Sequence, residues 1–185
     1  MMKSTIRQGF MAQVVSLTLG TLAGIGLAFM RGSLEELPGM LIMVPAFLEM
    51  RGNIGGTLAS RLGTALHMGI MEPRLKLSQD LIQNIVGTFI LNIIMSLFIG
   101  ILAHFMCLIF SFKSAGLLAL TLIALIAGMI SNIIITAVTI IATIKIYQRG
   151  LDPDIVMGTF ITTLGDVVSI PCLFLSALIV MYLGV

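Results

Sequence analysis

One acidic side chain, in the middle of an apolar stretch near the C-terminus, limits what this chain can fold into. Asp166 lies within residues 154–184, where the other side chains are mostly apolar or small. In a lipid bilayer, a carboxylate at that depth costs several kcal/mol unless it faces a protein interior or a water-filled path. The stretch therefore predicts either an ion path or a protonated carboxyl held in a buried hydrogen-bonded pair.

The composition requires lipid as the solvent. Apolar residues make up 58% of the 185 residues and charged residues only 10%, and a soluble domain of this size cannot bury so much apolar surface. The net charge is +2 and no basic cluster occurs, so nucleic acid is not an expected partner. We expect one transmembrane domain, residues 1–185, with the lipid bilayer around it. Cys107 and Cys172 each lie in an apolar segment and are expected to be buried.

The hydropathy pattern predicts five transmembrane helices, at about residues 9–30, 38–71, 81–110, 116–146 and 154–184. A polar loop is expected at residues 33–36. Basic residues are unevenly divided between the two sides of the membrane. One side has Lys3, Arg7, Arg74, Lys76, Lys145 and Arg149, and the other has Arg31 and Lys113. This excess predicts a multi-pass protein of the cell (plasma) membrane with a cytoplasmic N-terminus and an outside C-terminus.

The second span carries a polar face. Its members recur at spacings of 4, 4, 3, 4 and 3, which align them on one side of a helix: Glu49, Asn53, Thr57, Ser60, Thr64 and His67. Beside that face lie Gly52, Gly56, Ala59 and Gly63, which allow another backbone to approach. One interpretation is a packing seam between helices. The ionisable residues Glu49, Arg51 and Arg61 favour a functional face instead, with Arg51 on the side opposite Glu49.

Two glycine- and proline-containing segments are expected to disturb the helices. The run Gly52–Gly56 predicts a break in the second span that frees backbone carbonyls for a cation. Pro171 removes one helical hydrogen bond and predicts a kink after Asp166. Asp166 shares a helical face in the last span with Gly158, Thr159, Thr162 and Ser169, and Thr163 lies at the border of that face.

Two motifs resemble the signatures of the MgtE-type divalent-cation transporters. Pro-Ala-Phe-Leu at 45–48, Arg-Gly-Asn-Ile at 51–54 and Thr-Leu-Ala-Ser-Arg-Leu at 57–62 resemble the first signature. This part is most similar to the eukaryotic solute-carrier relatives of the family. Asp-Pro-Asp at 152–154, followed by Leu-Gly-Asp at 164–166, resembles the second signature. Both motifs stand in the right order in a five-span chain, so the resemblance covers nearly all of it.

The resemblance implies an all-α membrane protein with five transmembrane helices and a pore for Mg²⁺ at the two-fold axis of a homodimer. It implies that Asp166 sets cation selectivity and that Asn53 lies beside the pore. Thr162 matches a pore-facing position by its spacing from Asp166. We extend this set of candidate metal-path residues to Gly52, Gly56, Thr57, Glu49 and Thr163.

The bacterial members of the family carry a soluble N-terminal domain and CBS modules, and the solute-carrier relatives carry two copies of this unit. We expect a single transmembrane copy without CBS modules here, paired with itself or with a homologous second subunit. Glu49, Asp152 and Asp154 are also considered as a site at the mouth of the path. For Asp154 we favour a structural role at the N-terminus of the last helix, because an anion there is stabilised by the helix dipole.

The available donors suit Mg²⁺, although other divalent cations are possible cargo. Mg²⁺ prefers oxygen ligands and gives up its water reluctantly, so a hydrated ion needs few carboxylates and several neutral oxygens. Two copies of Asp166 beside a two-fold axis repel each other, and a divalent ion between them removes that repulsion. A thiolate or imidazole cluster for Zn²⁺ or Cu⁺ is not indicated, because the cysteines, His67 and His104 are all far apart in sequence.

Two other functions were weighed. Residues 163–166, Thr-Leu-Gly-Asp, partly match the Gly-x-Gly-Asp motif of intramembrane aspartyl enzymes. Such enzymes need a second aspartate in the membrane, whereas Asp80, Asp152 and Asp154 all fall at span ends. The other alternative is a membrane assembly subunit that does not transport. We expect a transporter or channel and no enzyme activity.

Overall fold

The computed structural model describes residues 2–184. These residues form helices joined by turns and short loops, which confirms the predicted all-α fold. The helices are α1 (Met2–Phe29), α2 (Arg31–Glu36), α3 (Met40–His67), α4 (Gln79–Ile109), α5 (Leu117–Gln148) and α6 (Pro153–Tyr182). Side chains at positions 2–5, 7, 8, 12, 33, 154 and 155 are outside the described part. The sequence predictions for Lys3, Arg7 and the Asp154 side chain therefore lie outside the described residues.

The five long helices begin and end within a few residues of the predicted spans, except that α1 begins earlier. The polar loop expected at residues 33–36 is wrong, because this stretch belongs to the short helix α2. Arg31 and Glu35 are one helical turn apart and form an exposed ion pair, with Arg31 Nε 2.9 Å from Glu35 Oε1. This pair stabilises the short helix. The connection between α1 and α3 is therefore a short helix and not an extended loop.

Among the described residues, four helices are long and apolar enough to cross a membrane: Gly9–Phe29 within α1, α4, α5, and Val156–Tyr182 within α6. α3 has 28 residues, as many as α1, but Glu49, Arg51 and Arg61 lower its hydropathy. The four apolar helices establish a multi-pass membrane protein by length and composition. The place of α3 as a fifth span therefore depends on its packing and not on its hydropathy.

Helices α3, α4, α5 and α6 form a four-helix bundle, and α1 packs against α6. The centre of the bundle is filled by apolar side chains that are fully buried, among them Met40, Phe47, Leu120 and Leu173. Large apolar side chains cover much of the outer surface of α1 and α4, where Phe98 and Phe105 are each about half exposed. In water such a surface would be unstable, whereas hydrocarbon solvates it well.

The two ends of the bundle are closed by hydrogen bonds between loops. At one end Ala115 N donates to Pro38 O at 2.7 Å, which ties the α4–α5 turn to the start of α3. At the other end Gln148 Nε2 donates to Pro73 O at 2.6 Å. The turn before α3 requires a left-handed backbone at Gly39, with φ of 95°, which glycine adopts without strain. These hydrogen bonds fix the position of α3 along the bundle axis relative to α4 and α5.

Helices α4 and α5 approach most closely at two glycines. A Cβ atom added at Gly100 would overlap the backbone of Thr121, and one added at Gly128 would overlap Ser96 Oγ. Small residues let two helix backbones come into direct contact, which is the main source of packing energy between helices in lipid. The α4–α5 pair is therefore a rigid part of the bundle.

Replacing Gly100 with alanine is expected to lower the stability of the protein in detergent, because the backbone of Thr121 cannot move aside as a side chain can. Overpacking of this kind costs about 1–3 kcal/mol. Gly87→Ala is the matched control on the same helix, since a Cβ there meets nothing within 4 Å. Thermal unfolding of both variants measures the difference. Equal melting temperatures would show that α4 and α5 are not packed this closely.

Candidate functional site

The polar face of α3 is exposed on the outside of the bundle, as its spacing predicted. All of its members are exposed: Glu49, Asn53, Thr57, Ser60, Thr64 and His67. The opposite side of α3 is buried, and it includes Arg51, Ile54 and Leu58. Carboxylate, amide and hydroxyl groups are costly against hydrocarbon. This face therefore requires water or another protein surface beside it.

The glycine run does not break α3, so that prediction is wrong. The helix is continuous from Met40 to His67. Glycine disfavours a helix by about 1 kcal/mol relative to alanine, but here Gly52 and Gly55 are buried against α6, and the packing offsets that cost. Free backbone carbonyls are consequently not available along this stretch, and the polar face offers side-chain oxygens instead. α6 likewise continues through Pro171 to Tyr182.

Helices α3 and α6 cross at three glycines. A Cβ added at Gly52 would lie 2.7 Å from Thr162 Cγ2, and one added at Gly55 would lie 2.6 Å from Ile161 Cγ2. From the α6 side, a Cβ added at Gly165 would lie 3.8 Å from Gly52 N. Gly52 is thus a contact residue between helices and does not line the exposed face, whereas Gly56 has open space around its Cα.

This crossing places Asp166, the residue after Gly165, beside the polar face of α3. Asp166 is half-buried and Glu49 is exposed, and both lie within one helical turn of the contact between Gly165 and Gly52. Asn53 Nδ2 donates to Glu49 Oε1 at 3.1 Å. Two acidic groups and one amide therefore share one region of the surface. Among the described side chains, no three His, Cys, Asp or Glu residues come together.

The threonines of α6 point in two directions. Thr162 is exposed beside α3, and its Oγ1 donates to Gly158 O at 2.8 Å and to Thr159 O at 3.0 Å. Thr163 is half-buried and turned towards α1, because a Cβ added at Gly20 would lie 3.8 Å from its methyl group. Its methyl group therefore lies on a different side of α6 from Thr162, since one residue turns a helix by about 100°, and a place for Thr163 in the metal path stays a prediction.

The predicted polar face of α6 is shorter than expected. Ser169 is fully buried, so the face ends at Asp166 instead of continuing for another turn. Gly158, at the other end, is exposed with open space around it. The exposed part of α6 therefore extends from Gly158 to Asp166, alongside the exposed face of α3.

A separate open crevice of about 410 Å³ lies at the far end of α3, lined by His67, Tyr147, Gly150, Leu151 and Asp152. The rings of His67 and Tyr147 meet edge to face, with centroids 5.3 Å apart. Glu49 precedes His67 by 18 residues, about 27 Å along a helix. The predicted grouping of Glu49 with Asp152 is therefore wrong, because these side chains lie at opposite ends of the face.

A buried polar cluster behind the exposed face was not predicted. Arg51 is 0% exposed, although it lies on the same helix as Glu49. Its Nη1 donates to Asn92 Oδ1 at 2.6 Å and its Nη2 to Asn132 Oδ1 at 3.2 Å. Asn92 and Asn132 are amides within the long apolar helices α4 and α5. Their presence there was a signal that a buried polar partner was needed.

Comparisons with known proteins cover most of this region. Residues 44–176 match the sequence model of the MgtE family, described as a divalent cation transporter. Solute carrier family 41 member 2 of Gallus gallus is 30% identical over 144 residues, covering 72% of this chain and 24% of the relative. Its counterpart in Xenopus laevis is 28% identical over 149 residues, covering 75% and 25%. The chain spans about a quarter of the length of these curated relatives. No solved structure matches the chain.

Gly52→Ala is expected to destabilise the contact between α3 and α6, because the new methyl group would collide with Thr162 Cγ2. The expected loss is about 1–3 kcal/mol in thermal unfolding. Gly56→Ala is the control on the same helix, since its Cβ would enter open space. Adding Thr162→Ser removes the opposing methyl group and should restore the stability of Gly52→Ala. If the double variant is no more stable than Gly52→Ala alone, the assigned contact is wrong.

Proposed function

The chain belongs to the MgtE family of divalent cation transporters, and on this premise we propose that it conducts hydrated Mg²⁺ along the polar face formed by α3 and α6. Asp166, Glu49, Asn53, Thr57 and Thr162 line this path. Gly52 lets the two helices meet, and Gly56 leaves open space on the face.

The observation that carries this proposal is that Asp166 and Glu49 lie within one helical turn of the same contact between α3 and α6, beside the exposed polar face of α3. Two carboxylates with little water around them repel each other, and a divalent cation between or beside them removes that repulsion. The neighbour of Asp166 is a glutamate from another helix and not a second aspartate. This pairing favours a cation path over an intramembrane aspartyl enzyme.

The neutral groups on the face suit an ion that keeps its water shell. The water molecules around Mg²⁺ donate hydrogen bonds, so the lining has to supply acceptors. Thr162 already uses its hydroxyl proton on its own helix, and its oxygen is left as an acceptor. Asn53 uses an amide proton on Glu49, and its Oδ1 is likewise left as an acceptor. We expect Mg²⁺ to be preferred, with other divalent cations as weaker cargo.

A second copy of the chain, or a homologous second subunit, is proposed to cover the exposed face. In a homodimer with its two-fold axis beside Asp166, the faces of two copies enclose the path and shield it from lipid. α3 is then the fifth transmembrane helix, because its polar side meets the path and its apolar side is buried in the bundle. We propose a multi-pass protein of the plasma membrane with a cytoplasmic N-terminus.

Asp166→Ala is expected to abolish Mg²⁺ uptake, and Asp166→Asn to reduce it less, because the amide keeps a neutral oxygen. We expect at least about a tenfold loss for alanine, equivalent to about 1.4 kcal/mol. Uptake is measured in liposomes containing the purified protein and a Mg²⁺-sensitive dye. Asp80→Asn, in the exposed first turn of α4, is the control and should transport normally. Uptake by Asp166→Ala at the wild-type rate would refute the proposed path.

Single cysteines test the proposed dimer. In a background without Cys107 and Cys172, Ser60→Cys on the polar face of α3 should form an intermolecular disulfide in liposomes, because two-fold symmetry brings like positions together. Ile94→Cys is the control, since Ile94 is exposed on the apolar outer surface of α4. The yield of disulfide-linked dimer is read from a non-reducing gel. Equal yields from both positions would contradict an interface on α3.

A further inference from the structure

The buried guanidinium of Arg51 is held entirely by neutral groups. Its hydrogen-bond partners among the described side chains are the amide oxygens of Asn92 and Asn132, in two other helices. Its Nε and the Nδ2 of Asn132 have no hydrogen-bond partner. A guanidinium keeps its charge in a protein interior because its pKa is far above neutral pH. The amides therefore satisfy part of its hydrogen-bonding capacity and leave its charge in place.

An acidic partner would be the usual way to bury such a charge. Within the part of the chain whose side chains are described, the ion pair found is Arg31–Glu35, on the surface near α2. Arg51 has no carboxylate in contact among these residues. Its uncompensated charge acts at a distance, since a low-dielectric interior screens charge poorly.

The backbone of Arg51 lies beside the proposed path, and its side chain extends from there into the bundle, towards α4 and α5. A Cβ added at Gly165 would lie 3.9 Å from Arg51 Cβ, and Gly165 immediately precedes Asp166. Glu49 is two residues before Arg51 but on the exposed side of α3. The two carboxylates lie on the outer side of the α3–α6 contact, whereas the guanidinium lies inside the bundle at Asn92 and Asn132.

We propose that Arg51 sets the affinity of the path for Mg²⁺, as a fixed positive charge that weakens cation binding enough for the ion to leave. This inference rests on the proposed function. Glu49, Asp166 and Arg51 together carry one net negative charge in each chain, so two chains carry the charge that balances one divalent ion. Without Arg51 the same path would carry four negative charges. An ion path has to bind its cargo strongly enough to admit it and weakly enough to release it.

The choice of asparagine at position 92 is central to this role. An aspartate there would accept the same hydrogen bond from Arg51 and would also neutralise its charge. The amide of Asn92 keeps the guanidinium in place without neutralising it, so the positive charge of Arg51 still acts on the path. Arg51 therefore acts through Asp166 and Glu49 and need not touch the ion.

Asn92→Asp tests the proposal with almost no change of shape. We expect the half-saturating Mg²⁺ concentration for uptake into liposomes to fall by about tenfold, equivalent to about 1.4 kcal/mol, and the maximal rate to fall as well. Arg51→Gln should shift the half-saturating concentration in the same direction, and Arg51→Lys, which keeps the charge, should leave it near the wild-type value.

A compensating substitution separates an electrostatic role from a structural one. Glu49→Gln added to Asn92→Asp returns each chain to one net negative charge, and we expect the half-saturating concentration to return towards the wild-type value. A purely structural disturbance at Asn92 would not be corrected from the other side of α3. Gel filtration and thermal unfolding check that each variant is folded. Loss of folding in Asn92→Asp would contradict the assigned contact, because an ion pair should be accommodated there.

The results distinguish this inference from the proposed function. If Asp166→Ala loses uptake while Asn92→Asp and Arg51→Gln keep the wild-type half-saturating concentration, the path stands and the role of Arg51 is refuted. If the wild-type protein takes up no Mg²⁺, the proposed function fails, and the role of Arg51 fails with it. If affinity rises in Asn92→Asp and recovers with Glu49→Gln, the role of Arg51 is supported.

Discussion

The candidate site depends on the direct contact between α3 and α6 at Gly52, Gly55 and Gly165. Because these three glycines have no Cβ atoms, the two helices come close together, and Asp166 and Glu49 lie within one helical turn of the contact. The same contact separates these acids from Arg51, which turns the other way into the bundle. In the interior of a membrane, each of these three charged groups would be costly on its own. Together they form an arrangement in which negative groups face outward and a positive group lies behind them.

The outline of the fold was readable from the sequence, because hydrophobic length and helical spacing are local properties. The long helices and the exposed face of α3 follow from them. The proximity of Glu49 and Asp166 does not, since it depends on the relative rotation and height of two helices distant in sequence. The predicted helix break at Gly52–Gly56 was wrong for the same reason. Glycine destabilises an isolated helix, but burial against α6 stabilises this one.

The family match begins at residue 44, after α1 and α2, yet α1 contributes to the site from behind. Ser16 Oγ donates to Thr159 O at 3.1 Å, and Thr163 packs towards Gly20. These contacts support the side of α6 that faces away from α3. Thr163 therefore belongs to the packing between α1 and α6, which helical spacing alone did not separate from the neighbouring Thr162.

The hydrogen bonds of Arg51 to Asn92 and Asn132 also have a mechanical consequence. They join α3 to α4 and α5 in the middle of the bundle, and the loop contacts of Pro38 and Pro73 hold the bundle at its two ends. Sliding or rotating α3 would break these hydrogen bonds and leave a buried charge without partners, which is costly. The contact between α3 and α6 consists of glycines and methyl groups and has no such penalty. Helices α3, α4 and α5 are therefore expected to move together as one unit.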